Sequence, residues 1–581
     1  MTTMYNKEPS IFVNSKDREA YRGYEDIGTL LQNQLQNKRK SILVIECYPG
    51  VRQQEIIDGL SPYLHSPAII DAETAVLENA EIESMVQRYL TDDRVFGYMS
   101  PFQIEEMYHK QKLAKLREQV ESIHEGTVVI IGFGASLVTS GDLLVYADLA
   151  RWEIQLRFRS KELGNWQAHN KDEDLLRKYK RSYFHEWRMA DRLKRTLFPQ
   201  IDYYLDTNKR SDPKLVSWNA LQDGMKQIAR QPFRLVPYFD PGVWGGTWLE
   251  EKLALPGKEH PYAWGFDGVP EENSLYLDFG SVRVEVPAIN LVFLQPKELL
   301  GERVYARFGA EFPIRFDFLD TIGGQNLSLQ VHPTADYIHH RFGMHYTQDE
   351  SYYILDAKPG AQVYLGLREE VQPEAMLEDL QKAEQGDGSF PAEQYVNIFP
   401  ASKHDHFLIP AGTVHCSGND CMVLEISATP YIFTFKLWDW DRLGLDGKPR
   451  PVHLEHGSKV IQWDRTTSWV EQELVGRVEQ IAEGIGWREE RTGLHEYQFI
   501  ETRRHWFSEP VLHTGNDSVQ MLNLVEGEEA VVESPTGEFA PFIVHYAETF
   551  IIPASIESFI IKPSGPSIGK TIVTIKAYVK A

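Results

Sequence analysis

Polar and aliphatic side chains alternate along residues 327–332 of the chain. Because successive side chains of a β-strand point to opposite faces, Ser328, Gln330 and His332 are predicted to share one face. The opposite face of this strand carries Leu327, Leu329 and Val331. A row of polar groups beside a row that enters an apolar core predicts a strand that holds a ligand.

Two further short strands are predicted to supply ligand groups to this polar row. Residues 349–355 carry Glu350 near their start, and residues 408–416 carry His415 near their end. Taken singly, each side chain is more typical of a hydrogen-bonded strand residue, so the prediction rests on the set as a whole. Imidazole and carboxylate groups suit Zn²⁺, and a catalytic zinc site leaves one coordination position open. The sequence therefore predicts one Zn²⁺ per chain, held by Gln330, His332, Glu350 and His415.

Apolar strands alternate with helical stretches along residues 1–215. Strands are predicted at residues 41–46, 68–71, 95–97 and 127–132. Such alternation is typical of a parallel sheet that helices cover on both faces. The sequence therefore predicts an N-terminal α/β domain with a parallel sheet.

The turn at residues 46–53 follows the first of these strands and opens a helix, which is where a phosphate-binding loop lies. A working loop has the pattern Gly-x4-Gly-Lys-Ser/Thr, whose glycine amides and lysine surround the phosphates. Ile45 and Val51 stand where the first glycine and the lysine are required. The domain resembles a degenerate uridine-kinase-type P-loop domain, and it is not expected to hydrolyse nucleoside triphosphates.

Residues 151–200 form a basic helical stretch in an acidic chain, with 13 Lys and Arg against 7 Asp and Glu. Helical spacing places Arg188, Arg192 and Arg195 on one face. Similar arginines line the lid of nucleoside kinases. The alternative interpretation is a solvated helix face that pairs with neighbouring acidic surface.

Two all-β regions are predicted after the first domain. Residues 216–455 contain the strands of the metal site, with a charged helix and loop at residues 373–388 inserted between strands. Residues 456–581 are strand-rich at 519–527 and 547–554, and they lack a matching set of histidines. The chain is therefore predicted to be multidomain, with jelly-roll domains that carry helical insertions after the α/β domain. The last of these domains is expected to be free of metal.

Composition narrows the classes of function. The 581 residues include 60 Lys and Arg against 84 Asp and Glu, a net charge of −24, so binding of nucleic acid through bulk charge is not expected. The sequence has no apolar run of about 18 residues and no signal-peptide pattern, which predicts a soluble cytoplasmic protein without membrane partners. Three cysteines are too few for a disulfide framework.

Several motifs between residues 238 and 456 follow the order found in one known family. They are Trp-Gly-Gly at 244–246, the stretch 312–320, Leu-Gln-Val-His-Pro at 329–333, Pro-Ala-Gly-Thr-Val-His at 410–415 and Trp-Asp-Trp-Asp-Arg at 438–442. This stretch resembles the class I mannose-6-phosphate isomerases. The resemblance implies a cupin fold, zinc, and aldose–ketose isomerisation that interconverts mannose 6-phosphate and fructose 6-phosphate or a related sugar phosphate.

The resemblance also implies roles for residues outside the metal set. Lys436 is expected near C1 and C2 of the sugar, where its charge stabilises the enediolate, and Glu425 is the acid–base candidate. Arg442 and Ser328 are expected to bind the phosphate end of the substrate, and Trp244 to line the substrate site. For Glu425, a strand carboxylate paired with Lys436 or Arg442 is the alternative interpretation.

Three positions depart from the family's pattern. Gln348 stands where the family has a lysine two residues before the metal-binding glutamate, Lys436 replaces an arginine, and Ala263 replaces a glutamate. A lysine keeps the positive charge but lacks the planar fork with which arginine grips a phosphate or an enediolate. Two alternatives therefore stay open: a cupin isomerase with a different sugar substrate, and a non-catalytic sensor that binds sugar phosphates.

Overall fold

The computed structural model describes the chain except for residues 1–3, 15–19, 37, 429–430, 446, 448, 494, 496–497 and 581. The chain divides into two compact units, each discontinuous in sequence. The first unit comprises Ser10–Gln227 and Ser274–Leu294, and the second comprises Met1–Pro9, Ile228–Asn273 and Gln295–Ala581. Among the described residues, no helix has both the length and the apolar content needed to span a bilayer.

The first unit is built on a seven-stranded sheet. In spatial order its strands are Ala20–Arg22, Lys214–Ser217, Tyr203–Asp206, Leu143–Asp148, Lys40–Cys47, Gly126–Gly132 and Ala68–Asp71. The last five run parallel to one another, and the first two pair antiparallel with their neighbours. The central strand Lys40–Cys47 is buried along most of its length, as is typical of a parallel strand.

Helices pack their apolar faces against this sheet. Helix Tyr24–Leu35 buries Ile27, Leu31 and Leu35, which lie on one face because they are four residues apart. The helices in this part of the chain are Tyr24–Leu35, Gln53–Leu60, Asn79–Leu90, Lys110–Ser122, Arg151–Arg159, Leu175–Arg181, Trp187–Leu197, Trp218–Ile228 and Ile289–Leu294. Shorter helical turns are Ala72–Ala75, Ile104–Met107, Ala135–Leu137 and Ser182–Glu186.

Three of the four strands predicted in the first 215 residues are confirmed, at Lys40–Cys47, Ala68–Asp71 and Gly126–Gly132. The strand predicted at residues 95–97 is wrong, because these residues follow a turn closed by the Asp93 carboxylate, which accepts from the backbone N–H groups of Val95 and Phe96. A short apolar run is as typical of a buried turn as of a strand.

A second, three-stranded sheet also belongs to the first unit. Its strands are Ser10–Phe12, Ser274–Phe279 and Val282–Pro287. The segment Ser274–Leu294, which the sequence placed inside the second domain, therefore packs with the first unit.

The second unit begins with a pair of antiparallel sheets. The six-stranded sheet contains, in spatial order, His406–Ile409, Asp349–Ala357, Cys421–Ala428, Arg315–Asp320, Tyr262–Gly268 and Tyr238–Gly246. The five-stranded sheet contains Val396–Pro400, Gln362–Leu367, His415–Ser417, Leu329–Val331 and Phe435–Trp438. Side chains from the two sheets meet in the space between them, and the predicted metal ligands come from both.

A further pair of antiparallel sheets follows in the same unit. The six-stranded sheet contains Glu479–Gly484, Trp487–Gly493, Ile500–Phe507, Ile572–Val579, Gln520–Glu526 and Thr549–Ile552. The four-stranded sheet contains Val511–Thr514, Ser558–Pro563, Glu529–Glu533 and Phe542–His545. Leu522, Phe550 and Phe559 belong to the apolar core between these sheets. Strands predicted within 519–527 and 547–554 are confirmed.

Short helices connect the strands of the second unit. They are Trp248–Leu253, Pro296–Leu300, Glu302–Phe308, Ala335–Phe342, Pro373–Gln385, Ala392–Tyr395, Leu454–Gly457 and Thr467–Glu473, with a helical turn at Gly565–Ser567. Helix Pro373–Gln385 confirms the insertion predicted at residues 373–388. It starts with proline in its first turn and ends at Gly386, whose φ of 82° is one that glycine adopts easily.

Candidate metal centre

Strand Leu329–Val331 brings Gln330 next to two other candidate residues. In the five-stranded sheet Gln330 lies opposite His415 on one neighbouring strand and opposite Lys436 on the other. Its Nε2 lies 3.2 Å from Nε2 of His415, and Ser328 Oγ donates to its Oε1 at 3.3 Å. Gln330 therefore faces the same interior space as His415.

Glu350 enters this space from the six-stranded sheet. One of its carboxylate oxygens lies 2.9 Å from Nε2 of His332, and the other lies 2.9 Å from Nε2 of His415. All three side chains have 0% exposure. Within the described part of the chain, this is the one group of three or more His, Cys, Asp or Glu residues whose ligand atoms all lie within 4.8 Å of one another.

Backbone carbonyls determine which nitrogen of each imidazole faces Glu350. His332 Nδ1 lies 3.0 Å from the carbonyl oxygen of Phe433, and His415 Nδ1 lies 2.9 Å from that of Thr413. A carbonyl only accepts, so each Nδ1 carries a proton and a neutral ring presents its Nε2 lone pair to the carboxylate. The Nε2 lone pairs of the two neutral rings and the carboxylate oxygens of Glu350 are then all hydrogen-bond acceptors, and they face one another in a buried space. A cation between them, either a metal ion or extra protons, resolves this arrangement.

The carboxylate of this group is ionised. Burial alone would raise the pKa of Glu350, but the positive charge of His332 and His415 in their protonated form, together with the hydrogen bonds that they then donate, holds that pKa well below its ordinary value. An ionised carboxylate oxygen and two imidazole nitrogens form a donor set of the kind that binds zinc.

Two polar side chains lie beside Glu350. Gln348 donates from Nε2 to a carboxylate oxygen of Glu350 at 2.9 Å. The Tyr352 ring lies 5.8 Å from the His415 ring. Burial, with the charge of Glu350 and a hydrogen bond to it, raises the pKa of the Tyr352 hydroxyl well above its ordinary value.

An acidic strip continues from Glu350 across the six-stranded sheet. Tyr352, two residues from Glu350, lies opposite Glu425, and Glu425 lies opposite Asp317, so these side chains share one face. Arg315 donates to Asp317 at 2.6 Å. We call the set Glu350, Glu425 and Asp317 the acidic strip.

The carboxylates of the acidic strip differ in charge state. Burial, with the neighbouring charges of Glu350 and Asp317, raises the pKa of Glu425 well above its ordinary value. Burial also raises the pKa of Asp317 to about 6, against the lowering effect of Arg315. Glu425 is therefore surrounded by carboxylates and Arg315, which differs from its alternative interpretation as a partner of Lys436 or Arg442.

The remaining residues expected from the sequence lie at three different places. Lys436 is half-buried opposite Gln330. Arg442 donates to the Asp439 carboxylate at 2.5 Å and to the carbonyl oxygen of Asn326 at 2.7 Å. Trp244 is completely buried on the edge strand of the six-stranded sheet, and three strands lie between it and the strand of Glu350. The structure thus brings Lys436 to the centre and leaves Trp244 in the packing at the sheet edge.

Two parts of the chain match known sequences. Residues 23–230 match a family model described as a domain of unknown function, DUF8485. The chain is also 26% identical over 241 residues to the mannose-6-phosphate isomerase ManA of Bacillus subtilis, a match that covers 40% of this chain and 69% of that protein. It is 28% identical over 235 residues to the probable mannose-6-phosphate isomerase GmuF of the same organism, covering 40% of this chain and 68% of that protein. About 40% of the chain is homologous to mannose-6-phosphate isomerases.

Solved structures of such isomerases are similar at lower identity. The mannose 6-phosphate isomerase from Bacillus subtilis aligns with a TM-score of 0.48 and 19% identity, covering 60% of this chain and 99% of that chain. A mutant phosphomannose isomerase from Salmonella typhimurium aligns with a TM-score of 0.45 and 16% identity, covering 60% and 99%.

Asp317 and Arg315 are residues of this site that sequence reasoning missed. Their signal was present, because Arg315, Phe316, Asp317 and Phe318 alternate between charged and aromatic side chains. The same kind of alternation pointed to residues 327–332. Charged residues on the inner face of a buried strand need a reason, and here the reason is a neighbouring polar site.

Proposed function

We propose that the second unit is a metal-dependent aldose–ketose isomerase of the cupin class. The expected reaction interconverts mannose 6-phosphate and fructose 6-phosphate, or a related sugar phosphate. The observation that carries this proposal is the buried group in which Nε2 of His332 and of His415 face the two oxygens of Glu350. Similarity to mannose-6-phosphate isomerases over 40% of the chain supports the same function.

The residues of this group fit a single Zn²⁺. Zinc takes imidazole nitrogens and carboxylate oxygens as ligands, and His332, His415 and Glu350 supply three such donors. Gln330, beside His415, completes the ligand set expected from the sequence. When bound, the ion supplies Lewis-acid stabilisation to oxygens of the sugar, or holds the sugar in position.

Isomerisation moves a proton between C1 and C2 of the sugar, so the site needs a base and a cation close to the developing enediolate. Glu425 is the acid–base group of this proposal, because it lies on the same face of the sheet as Glu350. Lys436 takes the part of the cation, because it lies opposite Gln330 in the facing sheet. Low exposure strengthens the charge interactions of both groups with a substrate.

Two arginines provide an anchor for the phosphate. Arg442 and Arg450 both pair with the single carboxylate of Asp439, at 2.5 Å and 2.8 Å. One carboxylate cannot neutralise two guanidinium groups, so one positive charge is left for an anion, and arginine binds phosphate through its planar fork. Arg442 also donates to the carbonyl oxygen of Asn326, two residues before Ser328. We assign the phosphate end of the substrate to this arginine pair.

A different sugar substrate is the second candidate, and the acidic strip favours it. Three carboxylates share one face beside the proposed metal site, and the neighbouring Arg315 is already paired with Asp317. Carboxyl groups form hydrogen bonds with sugar hydroxyls in either charge state, whereas the ionised ones repel a phosphate. An unphosphorylated sugar fits the strip itself, and a sugar phosphate fits it only with the phosphate directed to Arg442.

An isomerase assay on the full-length chain tests both candidates. The substrates are mannose 6-phosphate, fructose 6-phosphate, pentose phosphates and free mannose, each with Zn²⁺ and after chelation. Turnover of mannose 6-phosphate that chelation removes and Zn²⁺ restores is the expected result. Turnover of free mannose alone favours the second candidate. Glu350→Gln is the matched variant, because it keeps the size of the side chain and removes its charge. Metal-independent turnover, or none with any sugar, contradicts the isomerase proposal.

A further inference from the structure

The C-terminal pair of sheets in the second unit has a polar end inside an otherwise apolar interior. Strand pairing places Glu489 opposite His505 and His505 opposite Thr574. One step further along the same face, Arg503 lies opposite Lys576. His513 reaches this end from the four-stranded sheet, with its ring centre 4.5 Å from that of His505. This polar end lies in the part of the chain that was expected to carry no metal.

The acidic groups at the polar end are already paired. Glu489 accepts from Arg503 at 2.9 Å and lies 3.1 Å from Nε2 of His505. Glu501 accepts from Arg503 at 2.6 Å and from the Tyr578 hydroxyl at 2.8 Å. Neither carboxylate makes a close ion pair with Lys576, which is 4% exposed. In the described part of the chain, no carboxylate lies within 4.0 Å of its Nζ.

Other polar atoms here are also left without partners. His505 Nδ1, His513 Nε2 and Thr574 Oγ1 are buried and make no hydrogen bond to any described residue. His505 and His513 are each 3% exposed, and Thr574 is 0% exposed. Native proteins rarely leave several buried polar atoms unpaired in one place, and unpaired groups that converge are a sign of a missing ligand. Lys576 adds a positive charge to this place: the residue is 4% exposed, and its Nζ lies 5.7 Å from the centre of the Tyr578 ring.

The unpaired atoms indicate the chemistry of the ligand. Lys576 carries a positive charge, so the ligand brings an anionic group. His505 donates from Nε2 to Glu489, which leaves Nδ1 as an acceptor, and the Thr574 hydroxyl can both donate and accept. A ligand with hydroxyl groups satisfies both atoms. A metal ion does not fit, because the ammonium of Lys576 repels it and these residues do not form a ligand group among those described.

We propose that the polar end of the C-terminal sheet pair is a second ligand site, which binds a small hydroxylated anion such as a sugar phosphate or a sugar acid. Lys576 holds the anionic group, and His505, His513 and Thr574 hold hydroxyl groups. Entry is at the side of Arg503 and Arg491, whose side chains are 24% and 45% exposed and whose charge attracts anions. The site is separate from the His332, Glu350 and His415 group, so it does not depend on the proposed isomerase function.

Isothermal titration calorimetry on the full-length chain tests this site. The probes are glucose 6-phosphate, gluconate, inorganic phosphate and free glucose. The wild type is expected to bind a hydroxylated anion at the polar end. Lys576→Met is expected either to lose this equivalent of bound anion or to bind it about tenfold more weakly. Lys562→Met is the control, because Lys562 belongs to the same sheet pair and is 38% exposed in an ion pair with Glu533. Its isotherm is expected to match the wild type.

Comparison of the probes identifies which anionic group the site binds. If the site binds glucose 6-phosphate and does not bind gluconate, the anionic group is a phosphate. If it binds gluconate and does not bind glucose 6-phosphate, the anionic group is a carboxylate. Thr574→Val keeps the shape of the side chain and removes its hydroxyl. This variant is expected to weaken binding of the hydroxylated probe and to leave the affinity for inorganic phosphate unchanged. It is also the test variant if Lys576→Met does not fold. Identical isotherms for the wild type and both variants overturn the site. Equal affinity for inorganic phosphate and for hydroxylated anions overturns the assigned ligand class.

Discussion

Gln348 donates a hydrogen bond from its side-chain amide to the carboxylate of Glu350, at 2.9 Å. A neutral amide holds the carboxylate in place without neutralising it, so Glu350 keeps its full charge for the two imidazoles that face it. The departure of Gln348 from the pattern of the mannose-6-phosphate isomerases is therefore compatible with metal binding at His332 and His415.

Removing either imidazole is expected to remove the metal. The purified chain should contain about one divalent ion, as measured by elemental analysis, and His332→Ala or His415→Ala should abolish both the ion and isomerase activity. His340→Ala is the control, because His340 is exposed on helix Ala335–Phe342. Full metal occupancy in the double variant would show that these histidines are not ligands.

Removing the charge of Lys436 is expected to slow isomerisation strongly. Lys436→Met should lower kcat by a factor of about 100, which corresponds to about 2.7 kcal/mol of transition-state stabilisation. Lys436→Arg should preserve or raise turnover if the substrate is mannose 6-phosphate, because arginine restores the planar fork. If another sugar is the substrate, the same change should lower turnover of that sugar. Near-normal kcat in Lys436→Met would exclude this residue from the mechanism.

Neutralising Asp317 is expected to change the preference between sugars. Asp317→Asn removes one negative charge from the acidic strip, so kcat/KM for a phosphorylated sugar should rise relative to the free sugar, by a factor of about 10. The ratio of the two kcat/KM values is the measurement. Asp336→Asn, on an exposed position, serves as the control. An unchanged ratio would mean that the acidic strip does not contact the substrate.

The first unit is expected not to hydrolyse ATP. The turn at residues 46–53 lacks the required lysine, and its backbone N–H groups are used internally, since Tyr48 N donates to Ala147 O at 2.9 Å and Val51 N donates to Tyr48 O at 3.1 Å. Arg52 is engaged by the Glu162 carboxylate. Phosphate release from ATP by the full-length chain should equal the buffer rate. Hydrolysis that Arg52→Ala abolishes would show that the loop is functional.

Alternation along a strand was enough to predict part of the candidate site. It identified Gln330 and His332 because a polar row on a core strand is unusual. A second predicted strand supplied Glu350 as a candidate ligand, but alternation could not show that this strand belongs to the other sheet. The carbonyl that orients His332 comes from Phe433, 101 residues away. Every residue has a carbonyl, so no side-chain pattern marks this contact.

The same limit explains the features that sequence reasoning missed. The polar end around Lys576 gathers residues from four strands, each of which has only one to three ionisable residues on its inner face. No single strand shows a pattern as clear as that of residues 327–332. The pairing of strands determines which charged side chains lie next to one another. The structure was therefore needed to show that no carboxylate of the described residues forms an ion pair with Lys576.

Raising the pH is expected to stabilise the folded wild type relative to Lys576→Met. Burial lowers the pKa of Lys576 to about 8, against the opposing effect of Glu489. The pKa of an unfolded lysine is about 10.4, so between these values the unfolded chain binds more protons than the folded chain. The free energy of unfolding therefore rises with pH through this window, by about 1.4 kcal/mol per pH unit and about 3 kcal/mol in all.

The other groups that face Lys576 do not titrate in this window. Burial lowers the pKa of His505 to about 4 and that of His513 well below its ordinary value, so both rings stay neutral. The pKa of Glu489 is lowered to about 2, because its hydrogen bonds to His505 and Arg503 outweigh its burial, so it stays ionised. Pairing with Glu489 and Glu501 outweighs burial and raises the pKa of Arg503, which therefore stays charged. The measurement is urea unfolding of the wild type, Lys576→Met and the control Lys562→Met at about pH 7 and about pH 10. A difference between wild type and Lys576→Met that does not change with pH would show that the pKa of Lys576 is not lowered in the folded chain.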